Sequence, residues 1–173
     1  MKIIKSNCFS GIHPHDAKSW DEDGVTETLS SITELASSSE CVAIGECGLD
    51  FNRNFSPPDI QLEVFEEQIK LACRLQKPLF LHERDAHEDM VRLLQKYKDQ
   101  GNLPSCVIHC FCGTVEQAIK YLSMGCYIGL TGRKISLLRS GNLKKVLPHN
   151  VIQNKILNIT LVQFNFLRIF MER

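Results

Sequence analysis

Short runs of consecutive apolar residues, each followed by a stretch of helical spacing, constrain this chain more than any other feature. The runs are Cys41-Val42-Ala43-Ile44-Gly45, Pro78-Leu79-Phe80-Leu81-His82, Cys106-Val107-Ile108-His109 and Cys126-Tyr127-Ile128-Gly129-Leu130. They are too short for stable helices. Apolar residues without alternation suit strands covered on both faces. Between them, apolar residues recur at spacings of three and four: Val25, Leu29, Ile32 and Leu35/Ala36; Leu62, Phe65, Ile69 and Cys73; Met90, Leu93, Leu94 and Tyr97; Val115, Ala118, Ile119 and Leu122. The second stripe follows Pro57-Pro58-Asp59, a helix start signal. Strand and helix in alternation predict a parallel α/β sheet, either doubly wound or rolled into a (β/α) barrel.

Several function classes drop out. The 173 residues suit one domain, and 43% hydrophobic content excludes a disordered chain. Twenty basic side chains balance twenty acidic ones, so no long-range field attracts a polyanion and any nucleic-acid contact must be local. Neither G-x-G-x-x-G nor G-K-[ST] occurs, which removes the commonest nucleotide-binding loops. No apolar stretch is long enough to span a membrane, so no membrane partner is expected. Met1 to Trp20 contains no apolar leader, and the eight cysteines include no C-x-x-C pair. Reduced cysteines serving as small apolar side chains are expected, with Cys41, Cys106, Cys110 and Cys126 at the ends of buried strands. That chemistry places the chain in the cytoplasm or nucleus.

The polar residues fall in phase. Glu46, His82 and His109 each follow an apolar run directly or close it, at the carboxyl ends where α/β folds build their sites. Two imidazoles and a carboxylate meeting there suit a divalent metal cation. Upstream, Gly11-Ile12-His13-Pro14-His15-Asp16 reads as a tight loop after a short candidate strand at Ile3 and Ile4. Its histidines could ligate metal or donate to a phosphate oxygen. Arg84, two residues past His82, could clamp a phosphate or pair with Glu83 or Asp85. Asp50, Asn52 and Arg53 are expected at the rim. A Cys–His nucleophile pair using Cys47 or Cys112 has no local signature in its favour.

These residues resemble the TatD family of metal-dependent deoxyribonucleases. The matching segments are Gly11-Ile12-His13-Pro14-His15, Ala43-Ile44-Gly45-Glu46-Cys47-Gly48-Leu49-Asp50, Pro78-Leu79-Phe80-Leu81-His82-Glu83-Arg84, His109-Cys110-Phe111-Cys112-Gly113 and Tyr127-Ile128-Gly129-Leu130-Thr131-Gly132, in the family's order. The resemblance implies a TIM-type barrel that hydrolyses DNA phosphodiesters with a divalent cation (magnesium, manganese or zinc). It implies Glu46, His82 and His109 as metal ligands. The motif positions of His15 and Arg84 give those two a catalytic role, holding or polarising the phosphate.

The sequence also departs from the family. A full barrel of this type needs about 250 residues, so a partial barrel incomplete at both ends is expected. The family's late Glu-Thr-Asp-Ala-Pro segment is replaced by Lys155-Ile156-Leu157-Asn158-Ile159-Thr160-Leu161, and no carboxylate occurs between Asn142 and Phe170. Family character is expected over residues 1–149, followed by a divergent tail over 150–173. There Val162, Phe164 and Phe166 alternate with polar residues as in a strand. Exposed edge strands predict self-association. The alternatives to a DNA hydrolase are a non-catalytic chain that keeps a partial metal site and a metal-dependent hydrolase of another substrate.

Overall fold

The computed structural model describes residues 8–22, 25–130 and 156–158. Six parallel strands form one sheet: β1 (Cys8–Ser10), β2 (Cys41–Asp50), β3 (Leu79–Arg84), β4 (Cys106–His109), β5 (Tyr127–Leu130) and β6 (Ile156–Asn158). Their order across the sheet is their order in the chain. A doubly wound sheet reverses strand order at a switch point. An unbroken sequential order is the winding of a β/α barrel, so the structure decides between the two parallel architectures that the sequence allowed.

The helices are α1 (Ser19–Glu22), α2 (Val25–Ser37), α3 (Pro58–Leu75), α4 (His87–Asp99) and α5 (Val115–Ser123). Local chemistry sets their ends. Pro58 and Asp59 open α3, and Gln76 closes it in a left-handed conformation, its amide donating to the carbonyls of Ala72 and Cys73. Thr114 and Gln117 form a reciprocal capping box on α5. Among the described residues no helix is long and apolar enough to cross a membrane.

Strand side chains alternate between two layers. Cys47 and Leu49 of β2, Leu79 and Leu81 of β3, Cys106 and Ile108 of β4, and Ile128 and Leu130 of β5 face the helices. They pack with Phe65, Ile69, Met90, Leu94 and Tyr121 in the main core. Ala43, Phe80, Val107 and Tyr127 are buried on the inner face, outside that core. Phe80 stacks there between Phe9, at 4.5 Å, and His109, at 4.6 Å between ring centroids.

Two expectations need correction, and one lies outside the described residues. β2 does not end before Glu46 but runs on to Asp50, and β3 runs past His82 to Arg84. The strand before the His-Pro-His loop is Cys8–Ser10, while Ile3 and Ile4 lie outside the described residues. Cys110 is exposed with φ +47°, so it follows β4 rather than belonging to a buried strand. The expected tail strand around Val162–Phe166 also lies outside the described residues.

Candidate metal centre

β2 delivers two carboxylates to one place because it is irregular. Its register on β3 pairs Gly45 with Phe80 and Cys47 with Leu81, leaving Glu46 in a bulge without an opposite residue. The bulge resets the alternation, so Gly48 and Asp50 face the inner side beside His82 and Arg84. Glycine is required at Gly48: its φ is +136°, and a Cβ there would strike the His82 carbonyl oxygen.

His82 lies between the two acids. Its Nδ1 is 3.0 Å from Glu46 Oε1 and its Nε2 is 3.1 Å from Asp50 Oδ2. His15 Nε2 approaches the same Asp50 oxygen at 2.8 Å. The other Asp50 oxygen accepts from the backbone amides of Asn52 and Arg53. His13 Nε2 lies 3.3 Å from His82 Nδ1 and 3.7 Å from Glu46 Oε1. One ring nitrogen each from His13, His15 and His82 falls within 4.8 Å of the others, the geometry of a group able to hold a metal ion.

The charges are coupled. Burial alone would raise the Glu46 carboxyl, but hydrogen bonds from His13 and His82 outweigh it and hold its pKa well below the usual carboxylate range. Burial likewise opposes ionisation of Asp50. The Arg53 amide and the His15 and His82 rings reverse that effect and bring its pKa to about 2. His82 is disfavoured as a cation by burial, yet Glu46 and Asp50 raise its pKa. Both carboxylates therefore remain ionised at neutral pH and call for positive charge between them.

His109, paired with His82 across β3 and β4, stands at the edge of this cluster rather than in the histidine trio. Its Nε2 meets Cys110 Sγ at 2.9 Å, and its Nδ1 is buried without a hydrogen-bond partner. Burial lowers its pKa, opposed by the charge of Glu46, so the ring is neutral at pH 7, the form that binds metal. Arg84 closes β3, and its carbonyl accepts from the Phe51 amide. Among the described residues no hydrogen bond or ion pair joins its guanidinium to the cluster. Burial, then the Glu46 charge, pushes the Cys47 thiol far up, which leaves no thiolate for a Cys47 nucleophile.

Two supports went unread in the sequence. Gln61 and Gln68 stand seven residues apart on one face of α3, both buried. Gln61 accepts from the Asp50 amide at 2.8 Å and donates to the carbonyls of Asp50 and Ser56. Gln68 accepts from the Ile12 amide at 2.7 Å and donates to the Ile12 carbonyl. One helix thus fixes both the end of β2 and the loop carrying His13 and His15. Glutamines at heptad spacing beside the apolar stripe of Leu62, Phe65 and Ile69 were the available signal.

A sequentially wound parallel sheet with imidazoles and carboxylates gathered on its inner face is the arrangement of β/α-barrel proteins built around a divalent cation. Residues 3–157 match the model of the TatD related DNase family, and the chain belongs to that family. The match ends within β6, at Leu157. A 3'-5' ssDNA/RNA exonuclease TatD from Escherichia coli K12 is 46% identical over 145 residues, covering 83% of this chain and 54% of that protein. The namesake from Cronobacter turicensis is equally similar, with 53% of its length covered. The chain therefore spans about half the length of the relatives it matches. Among solved structures, a TatD family hydrolase from Entamoeba histolytica is similar with TM-score 0.69 and 30% identity, over 87% of this chain and 48% of that one. A TatD homologue from Escherichia coli K12 gives TM-score 0.68 and 27% identity, over 87% of this chain and 55% of that one.

Proposed function

We propose that this chain hydrolyses phosphodiester bonds of single-stranded nucleic acid with a divalent cation held by Glu46, His82 and His109. The observation that carries the proposal is the convergence of Glu46 Oε1 on His82 Nδ1, with Asp50 bonded to the opposite ring nitrogen. A carboxylate behind a ligating imidazole fixes its orientation and raises its basicity. Asp50 has that role for His82, and its remaining oxygen is committed to backbone amides. The orphaned, buried Nδ1 of the neutral His109 ring is a further donor atom in search of a partner. Nitrogen-rich ligation favours manganese or zinc over magnesium, which prefers oxygen.

A cation bound there supplies a water of lowered pKa and stabilises charge on a phosphoryl oxygen. His13 has a separate task. Its Nδ1 accepts from the His15 amide at 3.2 Å, which leaves the ring proton of the neutral form on Nε2, the atom facing Glu46 and His82. That N–H can donate to a phosphate oxygen entering the cluster. His15, fixed by Asp50, holds the same side, and Arg84 on the inner face of β3 offers a guanidinium to the phosphate. The substrate class follows the relatives, which are named as exonucleases of single-stranded DNA and RNA.

The test is release of nucleotides from a single-stranded oligonucleotide with added manganese or magnesium, and with EDTA. Activity should require the cation and fall at least about 100-fold in Glu46→Ala, the scale expected when a group central to the chemistry is removed. Unchanged turnover in that variant would sink the proposal.

A further inference from the structure

We infer that Phe55 is a stacking platform for the unpaired nucleobase next to the phosphate engaged by the histidine cluster. The inference rests on the nucleic-acid reading above. Twenty positive side chains balance twenty negative ones. Coulomb attraction over distance cannot gather a polyanion on such a protein. Beyond the cation itself, affinity must come from contacts that carry no charge.

Among the described residues the exposed large apolar side chains are Phe9, Leu35 and Phe55. Phe9 already stacks on Phe80. Phe55 is 57% exposed and stands edge-on to His15, with ring centroids 4.8 Å apart and planes at 81°. It therefore borders the site while more than half of its surface remains open.

The loop holds it there. Asn52 and Arg53 donate their amides to Asp50, and Asn54 turns the chain with φ +53°. Ser56 is fully buried. Its hydroxyl donates to the His15 carbonyl at 2.9 Å and accepts from the Lys18 amide at 3.0 Å, and its carbonyl accepts from Gln61 at 2.7 Å. The segment is thus tied to groups of the centre on both sides of the aromatic residue, through the Asn52 and Arg53 amides before it and Ser56 after it. A ring presented in advance loses little freedom when a ligand stacks on it. Base–aromatic stacking contributes about 1–3 kcal/mol per base and tolerates any base, because every base has a π-face. A base inside a duplex has both faces covered, so the ligand chemistry is an unpaired end.

The experiment uses a short single-stranded oligonucleotide with hydrolysis-resistant phosphorothioate linkages and a fluorescent aminopurine at its terminus, titrated with the full chain in manganese. Its companion carries an abasic terminus and a distant dye. Wild type should bind the base-bearing strand with quenching. Phe55→Ala, checked for an unchanged melting curve, should bind it about 10-fold more weakly, while Phe55→Trp should keep the affinity. The abasic strand should bind wild type and Phe55→Ala alike. Equal affinity of wild type and Phe55→Ala for the base-bearing strand would overturn the platform and leave the nucleic-acid reading standing. Failure of wild type to bind either strand would overturn that reading, and the platform with it.

Discussion

The two faces of strands β2 to β5 carry opposite chemistry on alternate residues. On the helix side, Cys47, Leu49, Leu79, Leu81 and Ile108 are apolar and closed to solvent. On the inner side, Phe80 and Tyr127 are buried, but Glu46, His82 and His109 remain partly open and Phe9 is 38% exposed. A period of two lets one strand serve both layers without compromise. The contrast teaches a division of labour. Burial on the helix side stabilises the sheet, which can then hold charged and imidazole groups on the inner side at a cost the core absorbs.

Leu81→Ala is the strongest attack on the first half of that contrast. Leu81 is 0% exposed in the main core, so its truncation should cost about 2–5 kcal/mol. The midpoint of urea unfolding would fall at unchanged slope. A loss under about 1 kcal/mol would show that the helix-side layer does not carry the stability.

Cation binding probes the other half. Manganese at about 100 times its Kd should stabilise the wild type by about 2.7 kcal/mol, and EDTA should reverse the gain. In His82→Ala, at the same manganese concentration, the gain should fall below half of that. If Leu81→Ala, by contrast, keeps the full gain, the two faces act independently. An undiminished gain in His82→Ala would disconnect the inner face from the cation.

Thr114→Ala removes one arm of the capping box on α5, the bond from the Gln117 amide to Thr114 Oγ1 at 3.3 Å. The expected cost is about 1 kcal/mol in urea unfolding, with manganese affinity unaltered. A change in that affinity would mean that the ends of the helices, and not the strands alone, set the geometry of the centre.

Much of this contrast was legible in the sequence, for a physical reason that also marks where reading failed. Apolar runs and helical stripes report burial, and burial fixed the positions of α2 to α5 and β2 to β5. Glu46, His82 and His109 stood out because polar groups at the ends of apolar runs break that pattern. The sequence puts Asp50 at the rim, because the apolar run ends at Gly45. The bulge at Glu46 extends the strand by displacing one residue from the register, an event without a signature in hydrophobic periodicity. The pairing of His13 and His15 with these groups depends on Gln61 and Gln68, whose heptad spacing is visible in the sequence but whose partners are backbone atoms that no side-chain pattern names. The sequential strand order was equally silent. Doubly wound and barrel sheets share the same alternation of elements, and only the family resemblance separated them beforehand.

The smallest expected effect lies outside both faces, where α3 meets α4. Glu66 accepts from Lys96 Nζ at 2.6 Å and from the Tyr97 hydroxyl at 2.9 Å. The Lys96 bond lowers its pKa from the usual 4.5, against the opposing effect of burial. A depressed folded-state pKa adds stability that is present above the unfolded value and lost as pH falls through the folded one. Lys96 is 53% exposed, so solvent screens the pair, and such pairs are worth about 0.2–1 kcal/mol. Glu66→Gln keeps the shape and an acceptor for Tyr97 but removes the charge. It should cost less than about 1 kcal/mol at neutral pH, and the difference from wild type should close as pH drops below about 4.5. A difference that persisted unchanged in acid would assign the cost to packing between the helices. Charge at this outer surface would then matter even less beside the apolar layer beneath it.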